Sequence, residues 1–379
     1  MSRARPGTRV PSGWVLGHVA GAPVVLAPSW LLVAVLLTWV FLPVVQRSAP
    51  DLGAAATVVA AAAFPVLLAA SVLLHEIGHG LTGRRFGAPP SEYVITLWGG
   101  HTQFERDLPG PAVSALVSIA GPAANGLLAL VSWWAAHAAA GVVGLLLWAA
   151  AVSNGFVAVF NVLPGLPLDG GRVLEAVVWR ATGERASGTI AAGWTGRALA
   201  VAVAVVWVGW PLLQGSQPTP ISAITVLLVS GFLWAGATSA LRSARGARSA
   251  ASIDLLRLAR PAVSVHAGST VADVEGALAA GVAVVLVSAD QRPVAIASPA
   301  AVAELPAAIR DRTGLEAVLV PLGAASVVSE HRGLAAVRAM AEAQHAGPVA
   351  VLVDSPVPPA RVLGVVSAAD VAAALRRAG

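Results

Sequence analysis

The chain has 379 residues, 57% hydrophobic and only 11% charged, with a mean hydropathy of +0.77. Soluble domains carry about 25% charged residues, so this composition excludes an ordinary soluble enzyme and places much of the chain in lipid. The absence of cysteine excludes disulfides and thiolate metal ligands, and the net charge of +5 comes from scattered Arg with no Lys, so no nucleic-acid partner is expected.

In chain order, Arg3, Arg5 and Arg9 precede any strong apolar run, and no signal-peptide pattern is read there. The first predicted span runs from about Pro28 to Val45. The second runs from about Ala54 to Thr82, kinked at Pro65 and closed by Arg84 and Arg85. Residues 92–104 read as two short strands about Gly99-Gly100. The third span is Pro111 to His137. The fourth starts near Gly141 and is broken by Pro164 and Pro167, and a polar stretch with Arg172, Glu175, Arg180 and Arg185 follows. Spans five and six are about Thr189–Leu213 and Ile221–Leu241. Each approaches or exceeds the roughly 20 residues that cross a bilayer. Six spans put both termini on one side. The Arg residues collect on that side, which is therefore expected to be cytoplasmic, in a multi-pass cell-membrane protein.

After this first domain (1–245), residues 246–258 read as a small, basic linker. Beyond it Val282–Val287 and Val349–Val353 read as strands, and Val271–Ala280 and Leu334–His345 as helices. The order helix, strand, turn, strand, helix occurs in 259–318 and again in 319–379, an internal repeat. The expected fold class is thus a six-helix polytopic membrane protein with a soluble C-terminal α/β domain.

The second span ends in His75-Glu76-Ile77-Gly78-His79. His75 and His79 are one helical turn apart on one face, a spacing that lets two imidazoles share one Zn²⁺ while Glu76 stands beside them as a general base. Ionisable residues at membrane depth are costly and are functional candidates by default. The best third ligand is Asp169, at the broken end of a span that runs in the same direction as the second. Glu92, His101, Glu105 and Asp107 are rivals without a helix break beside them. Asn125 and Asn161 are amides in apolar spans, able to bind a substrate backbone, to polarise its carbonyl or simply to join helices.

These motifs resemble the site-2 protease family of intramembrane zinc metalloproteases, over roughly residues 10–245. The resemblance rests on His75-Glu76-Ile77-Gly78-His79 and on Asn161 through Asp169-Gly170, with Gly121-Pro122-Ala123-Ala124-Asn125 and the Tyr93–Gly100 loop as lesser features. It implies Asp169 as third ligand and the 92–104 hairpin as a membrane-re-entrant element near the site. It also implies transmembrane protein substrates, such as anti-sigma factors or remnant signal peptides. The tail repeat resembles a pair of CBS domains. Gly364-Val365-Val366-Ser367-Ala368-Ala369-Asp370 is similar to that family's ribose motif, which implies at most one adenosine-nucleotide site, at Ser367 and Asp370, and a possible homodimer contact. The first copy has Ala301 where the second has Asp370. Two other readings stand beside the protease: a metal transporter gated by the tail, and an inactive membrane scaffold.

Overall fold

The computed structural model describes residues 13–215, 217 and 219–378, so Arg3, Arg5 and Arg9 lie outside the described residues. It divides into two compact units, residues 1–242 and 243–379.

The first unit opens with a hairpin absent from the sequence reading, β1 (Trp14–Val19) and β2 (Ala22–Leu26), turned through Ala20 and Gly21, both at positive φ. Helices α1 (Trp30–Ser48) and α2 (Ala54–Arg85) follow. Next comes the expected hairpin of β3 (Pro90–Thr96) and β4 (Gly99–Phe104). The four strands form one sheet in the order β1-β2-β3-β4, with β2 and β3 parallel and the other pairs antiparallel. Ala22, Val24 and Tyr93 of this sheet pack with Leu73 and Ile77 of α2, which seats the sheet on the polar half of that helix. β4 is an edge strand.

Then come α3 (Pro111–His137), α4 (Gly141–Val162), α5 (Asp169–Thr182), α6 (Arg185–Leu213) and α7 (Pro220–Ala251). Among the described residues six helices are long and apolar enough to cross a membrane: α1, α2, α3, α4, α6 and α7. Their outward faces are apolar. Leu32 is 66% and Trp39 70% exposed on α1, a surface that suits lipid and not water.

The polar stretch after the fourth span, left unassigned by the sequence reading, is the amphipathic helix α5. It is tied to the start of α6 by Glu175, whose buried carboxylate accepts from Nε of Arg185 at 2.7 Å. Between α4 and α5 the chain unwinds over residues 163–168. That segment is clamped: Leu166 N donates to Ala192 O at 3.0 Å, and a Cβ on Gly196 would lie 2.0 Å from Leu166 O. The Gly170-Gly171 pair has the same origin. A Cβ on Gly170 would lie 2.1 Å from Val162 O, and one on Gly171 would lie 2.3 Å from the Gly165 carbonyl carbon. Only glycine lets α5 start this close to the chain it has just left.

The second unit contains two β-sheets, one of β5 (Ala262–Val265), β6 (Ala283–Val287), β7 (Pro293–Ala297) and β8 (Leu319–Pro321) in that order, and one of β9 (Val327–Val328), β10 (Val349–Val353) and β11 (Val362–Ser367) in the order β11-β10-β9. Helix–strand–strand–helix occurs at Val271–Ala279, β6 (Ala283–Val287), β7 (Pro293–Ala297) and Pro299–Glu304. It recurs at Gly333–Gln344, β10 (Val349–Val353), β11 (Val362–Ser367) and Ala368–Ala378. The expected linker at 246–258 is corrected by the structure. α7 continues to Ala251, and Ile253 and Leu255 are buried in the core of this unit beside Met340 and Leu352. The sequence misled because Ala, Ser and Arg are as compatible with an exposed helix as with a linker.

Candidate metal centre

The third turn from the end of α2 carries His75 and Glu76, and the next carries His79; all three are under 10% exposed. Asp169 is the first residue of α5, where the helix N-terminus favours a carboxylate. The structure brings these elements together. Nε2 of His75 lies 3.0 Å from Oδ2 of Asp169, Nε2 of His79 lies 3.3 Å from the same oxygen, and the two Nε2 atoms are 3.1 Å apart. Four ligands at zinc–nitrogen and zinc–oxygen distances in a tetrahedron have edges of about 3.3 Å, so this triangle fits one Zn²⁺ with a fourth position open. Among the described residues this is the one group of three His, Asp or Glu side chains close enough to hold a metal ion. Of the rivals, His101, Glu105 and Asp107 line the same cavity but do not join the triangle.

Two further features match that donor set. A Cβ on Gly121 of α3 would lie 2.4 Å from Nε2 of His79 and 2.6 Å from Nε2 of His75, so the space in front of both nitrogens exists because residue 121 has no side chain. Each imidazole is also held from behind. Nδ1 of His79 donates to Val117 O at 2.6 Å, and Nδ1 of His75 donates to Oδ1 of Asn125. Such outer partners fix the tautomer that leaves Nε2 free to ligate.

Glu76 faces a cavity of about 900 Å³ that is shared with His75, His79, Asn161 and Asp169. Thr102 of β4 lies over it, with Oγ1 2.7 Å from Oε2 and 3.0 Å from the backbone oxygen of Glu76. A Cβ on Gly100 would lie 2.6 Å from Cγ of Glu76, so the bare backbone of β4 forms the wall at this point. Gly99, at φ 112, makes the turn that leads into it. The cavity therefore has the Glu76 carboxylate, a carboxylate–imidazole triangle and a strand edge on its border.

The two asparagines separate. Asn161 lines the cavity and donates one N–H back to Val157 O in its own helix at 3.0 Å. Asn125 is fully buried behind His75 among Ser71 and Asn154, which corrects the expectation that it contacts substrate. Ser71, Thr102, Val117 and Asn154 were missed by sequence reasoning. Ser71 is one turn before His75 on the same face, and Asn154 is one of two amides, with Asn161, in an apolar helix, so both carried a readable signal.

In the tail, Oγ of Ser367 donates to Oδ2 of Asp370 at 2.6 Å and accepts from Asp370 N at 3.1 Å, so the pair caps its own helix. A tail cavity of about 380 Å³ is lined by Arg260, Ser298 and Ser326 among apolar residues, and by neither Ser367 nor Asp370. The expected nucleotide pair therefore does not line that cavity.

Residues 63–139 and 135–205, which together contain all the side chains of the triangle, match the family model of Peptidase family M50. The chain is 31% identical over 239 residues to the candidate zinc metalloprotease sll0528 of Synechocystis, covering 61% of this chain and 60% of the relative. It is 30% identical over 227 residues to the candidate zinc metalloprotease Rip3 of Mycobacterium tuberculosis, covering 59% and 57%. It is 27% identical over 181 residues to the zinc metalloprotease MJ0392 of Methanocaldococcus jannaschii, covering 45% and 47%. The chain thus spans about half to six-tenths of the length of these relatives. The solved site-2 protease from Methanocaldococcus jannaschii superposes with a TM-score of 0.40 at 22% identity, over 61% of this chain and 95% of that one.

Proposed function

We propose, with the Peptidase family M50 match across residues 63–205 as premise, that this chain is an intramembrane zinc metalloendopeptidase acting on transmembrane segments. The observation that carries the proposal is the triangle of His75, His79 and Asp169 set beside Glu76 in one cavity. A Zn²⁺ held by that triangle supplies Lewis acidity and lowers the pKa of water at the open position. The remaining chemistry belongs to the chain. Glu76 takes the proton of the attacking water and returns it to the leaving amine. Asn161 stands at the cavity wall to hold the substrate backbone. The exposed edge of β4 offers backbone partners to an extended segment, which addresses the chief obstacle to intramembrane cleavage. A helical substrate hides its peptide bonds, and pairing with a strand edge holds it open.

The same reading takes the substrates to be membrane proteins with single spans, such as anti-sigma-like regulators or remnant signal peptides. It sets the enzyme in the cell membrane with both termini and the tail on the Arg-rich, cytoplasmic side. The tail, in this reading a CBS-like pair, serves regulation or self-association. The transporter reading asks for polar residues through the spans. The scaffold reading leaves the buried triangle without a use.

The deciding experiment is zinc content together with cleavage of a co-reconstituted single-span substrate, for wild type, Glu76→Gln and Asp169→Ala. Wild type is expected to hold one zinc per chain and to cleave. Glu76→Gln should hold zinc without cleaving, and Asp169→Ala should lose both. Cleavage by Glu76→Gln at the wild-type rate overturns the mechanism.

A further inference from the structure

The two imidazoles of the triangle are held from behind by groups of different kinds. The partner of His79 is the carbonyl of Val117, which can only accept, so Nδ1 of His79 must carry the proton and Nε2 must be free. The partner of His75 is the side-chain amide of Asn125. An amide has an accepting end and a donating end, and a 180° flip exchanges them. With Nδ2 turned toward His75, Nδ1 would have to accept, the proton would move to Nε2, and His75 could not ligate.

What selects the productive orientation lies one helix further on. Nδ2 of Asn125 donates to Oδ1 of Asn154 at 2.7 Å and to Oγ of Ser71 at 3.1 Å. Ser71 cannot select, because its hydroxyl rotates to donate or accept, and here it donates to Oδ1 of Asn154. Asn154 can select. Its own Nδ2 donates to Ala150 O at 2.8 Å, one turn back along α4. That carbonyl has no choice of role, so Oδ1 of Asn154 must point at Asn125. Asn125, Asn154 and Ser71 are all under 4% exposed, so no water substitutes for a lost partner without cost.

We infer that Asn154 is a positioning residue for the metal centre. The Ala150 carbonyl fixes the amide of Asn154, which fixes the amide of Asn125, which fixes the metal-competent tautomer of His75. The relay crosses α4, α3 and α2 and touches neither metal nor substrate. It rests on the zinc reading of the triangle.

The test is zinc affinity by chelator competition on the full-length chain in detergent, with cobalt substitution reporting ligand geometry from its visible spectrum. Asn154→Leu frees Asn125 to flip, and the affinity should fall about 10- to 100-fold, the range typical for lost outer partners of ligating histidines. Asn154→Asp is the rescue. A carboxyl buried in apolar surroundings stays neutral, donates its hydroxyl to Ala150 O and accepts from Asn125, so zinc affinity should stay within about threefold of wild type. Ser71→Ala should also stay within about threefold, because Asn154 still selects. Should Asn154→Leu not yield monodisperse protein, Asn154→Thr replaces a fixed acceptor with a rotating hydroxyl and should show an intermediate loss. Unchanged affinity in Asn154→Leu or Asn154→Thr overturns the relay. So does an equal loss in Asn154→Leu and Asn154→Asp, which would make Asn154 a packing residue. A wild-type chain that binds no zinc overturns the metal reading itself, a distinct result.

Discussion

Gly121→Ala is a one-carbon change that separates metal binding from folding. The added Cβ would lie 2.4 Å from Nε2 of His79, 2.5 Å from Cε1 of the same ring and 2.6 Å from Nε2 of His75. Unstrained heavy-atom contacts begin near 3.5 Å, so the rings must retreat by about 1 Å. Metal–ligand distances tolerate only about 0.2 Å, so both nitrogens leave ligating range or the methyl group takes the metal's place. A zinc affinity lower by at least 100-fold is expected, about 2.8 kcal/mol. Helix formation gains, since Ala is favoured over Gly by about 1 kcal/mol in a helix interior. The expected outcome is therefore a chain of undiminished helicity by circular dichroism that fails to retain zinc in chelator competition. Gly126→Ala on the same helix is the control, because a Cβ there meets nothing within 4 Å, and it should bind zinc like wild type. Wild-type zinc affinity in Gly121→Ala would refute the assignment of the metal to the Nε2 face of His75 and His79.

Glu76→Gln removes the base and leaves the triangle, so cleavage should fall by about 10²- to 10⁴-fold while zinc content stays at the wild-type level. Gly196→Ala would put a Cβ 2.0 Å from Leu166 O and push on the segment that delivers Asp169; zinc loss without a change in Glu76 is expected, read by metal analysis after dialysis. Arg185→Ala strands the buried carboxylate of Glu175; with Arg185 itself 42% exposed, the cost should be about 1–2 kcal/mol, well below that of a fully buried pair, and Glu175→Gln should cost less. In the tail, the hydrogen bonds from the backbone N–H and hydroxyl of Thr270 hold the carboxyl of Asp273 below its ordinary range. Its contribution is therefore present above the unfolded-state pKa and is lost as pH falls through the folded one. Protection factors over Val271–Ala279, which divide out the intrinsic slowing of amide exchange in acid, should fall on acidification in wild type and should be insensitive to that step in Asp273→Asn.

The six apolar helices were legible because lipid imposes a length and a polarity that composition alone reports. The triangle of His75, His79 and Asp169 was legible because two of the three share a helical period and the third stands at a proline-broken helix end. What was not legible depends on partners far away in sequence. The β1–β2 hairpin gains its stability from pairing with β3, some 70 residues on, and its alternation is too short to announce itself. α5 was left unassigned as a polar stretch because the face it buries against α6 and α3 is made of Gly170, Gly171, Glu175 and Ala176, which carry no apolar periodicity. The roles of the two asparagines differed for a geometric reason. Asn161 is near the helix break, where a cavity can open, whereas Asn125 is a full helix away from it, behind a ligand. The expected linker failed because two buried side chains, Ile253 and Leu255, outweigh the small residues around them.

The contact between His75 and Asp169 joins residues 94 apart in sequence, in a chain without cysteine. A metal there is a cross-link as much as a reagent, closing the loop that contains β3, β4, α3 and α4. For a soluble chain a loop of that length would be worth about 4.7 kcal/mol on closure. In a bilayer the spans stay inserted when unlinked, so most of that chain entropy is never released and the stabilisation is smaller. The clasp therefore acts on arrangement more than on survival. Stripping the metal should loosen α5 and the 163–168 segment against α2 while the six spans persist, and the order in which parts become protease-sensitive would follow the cross-link rather than the hydrophobicity.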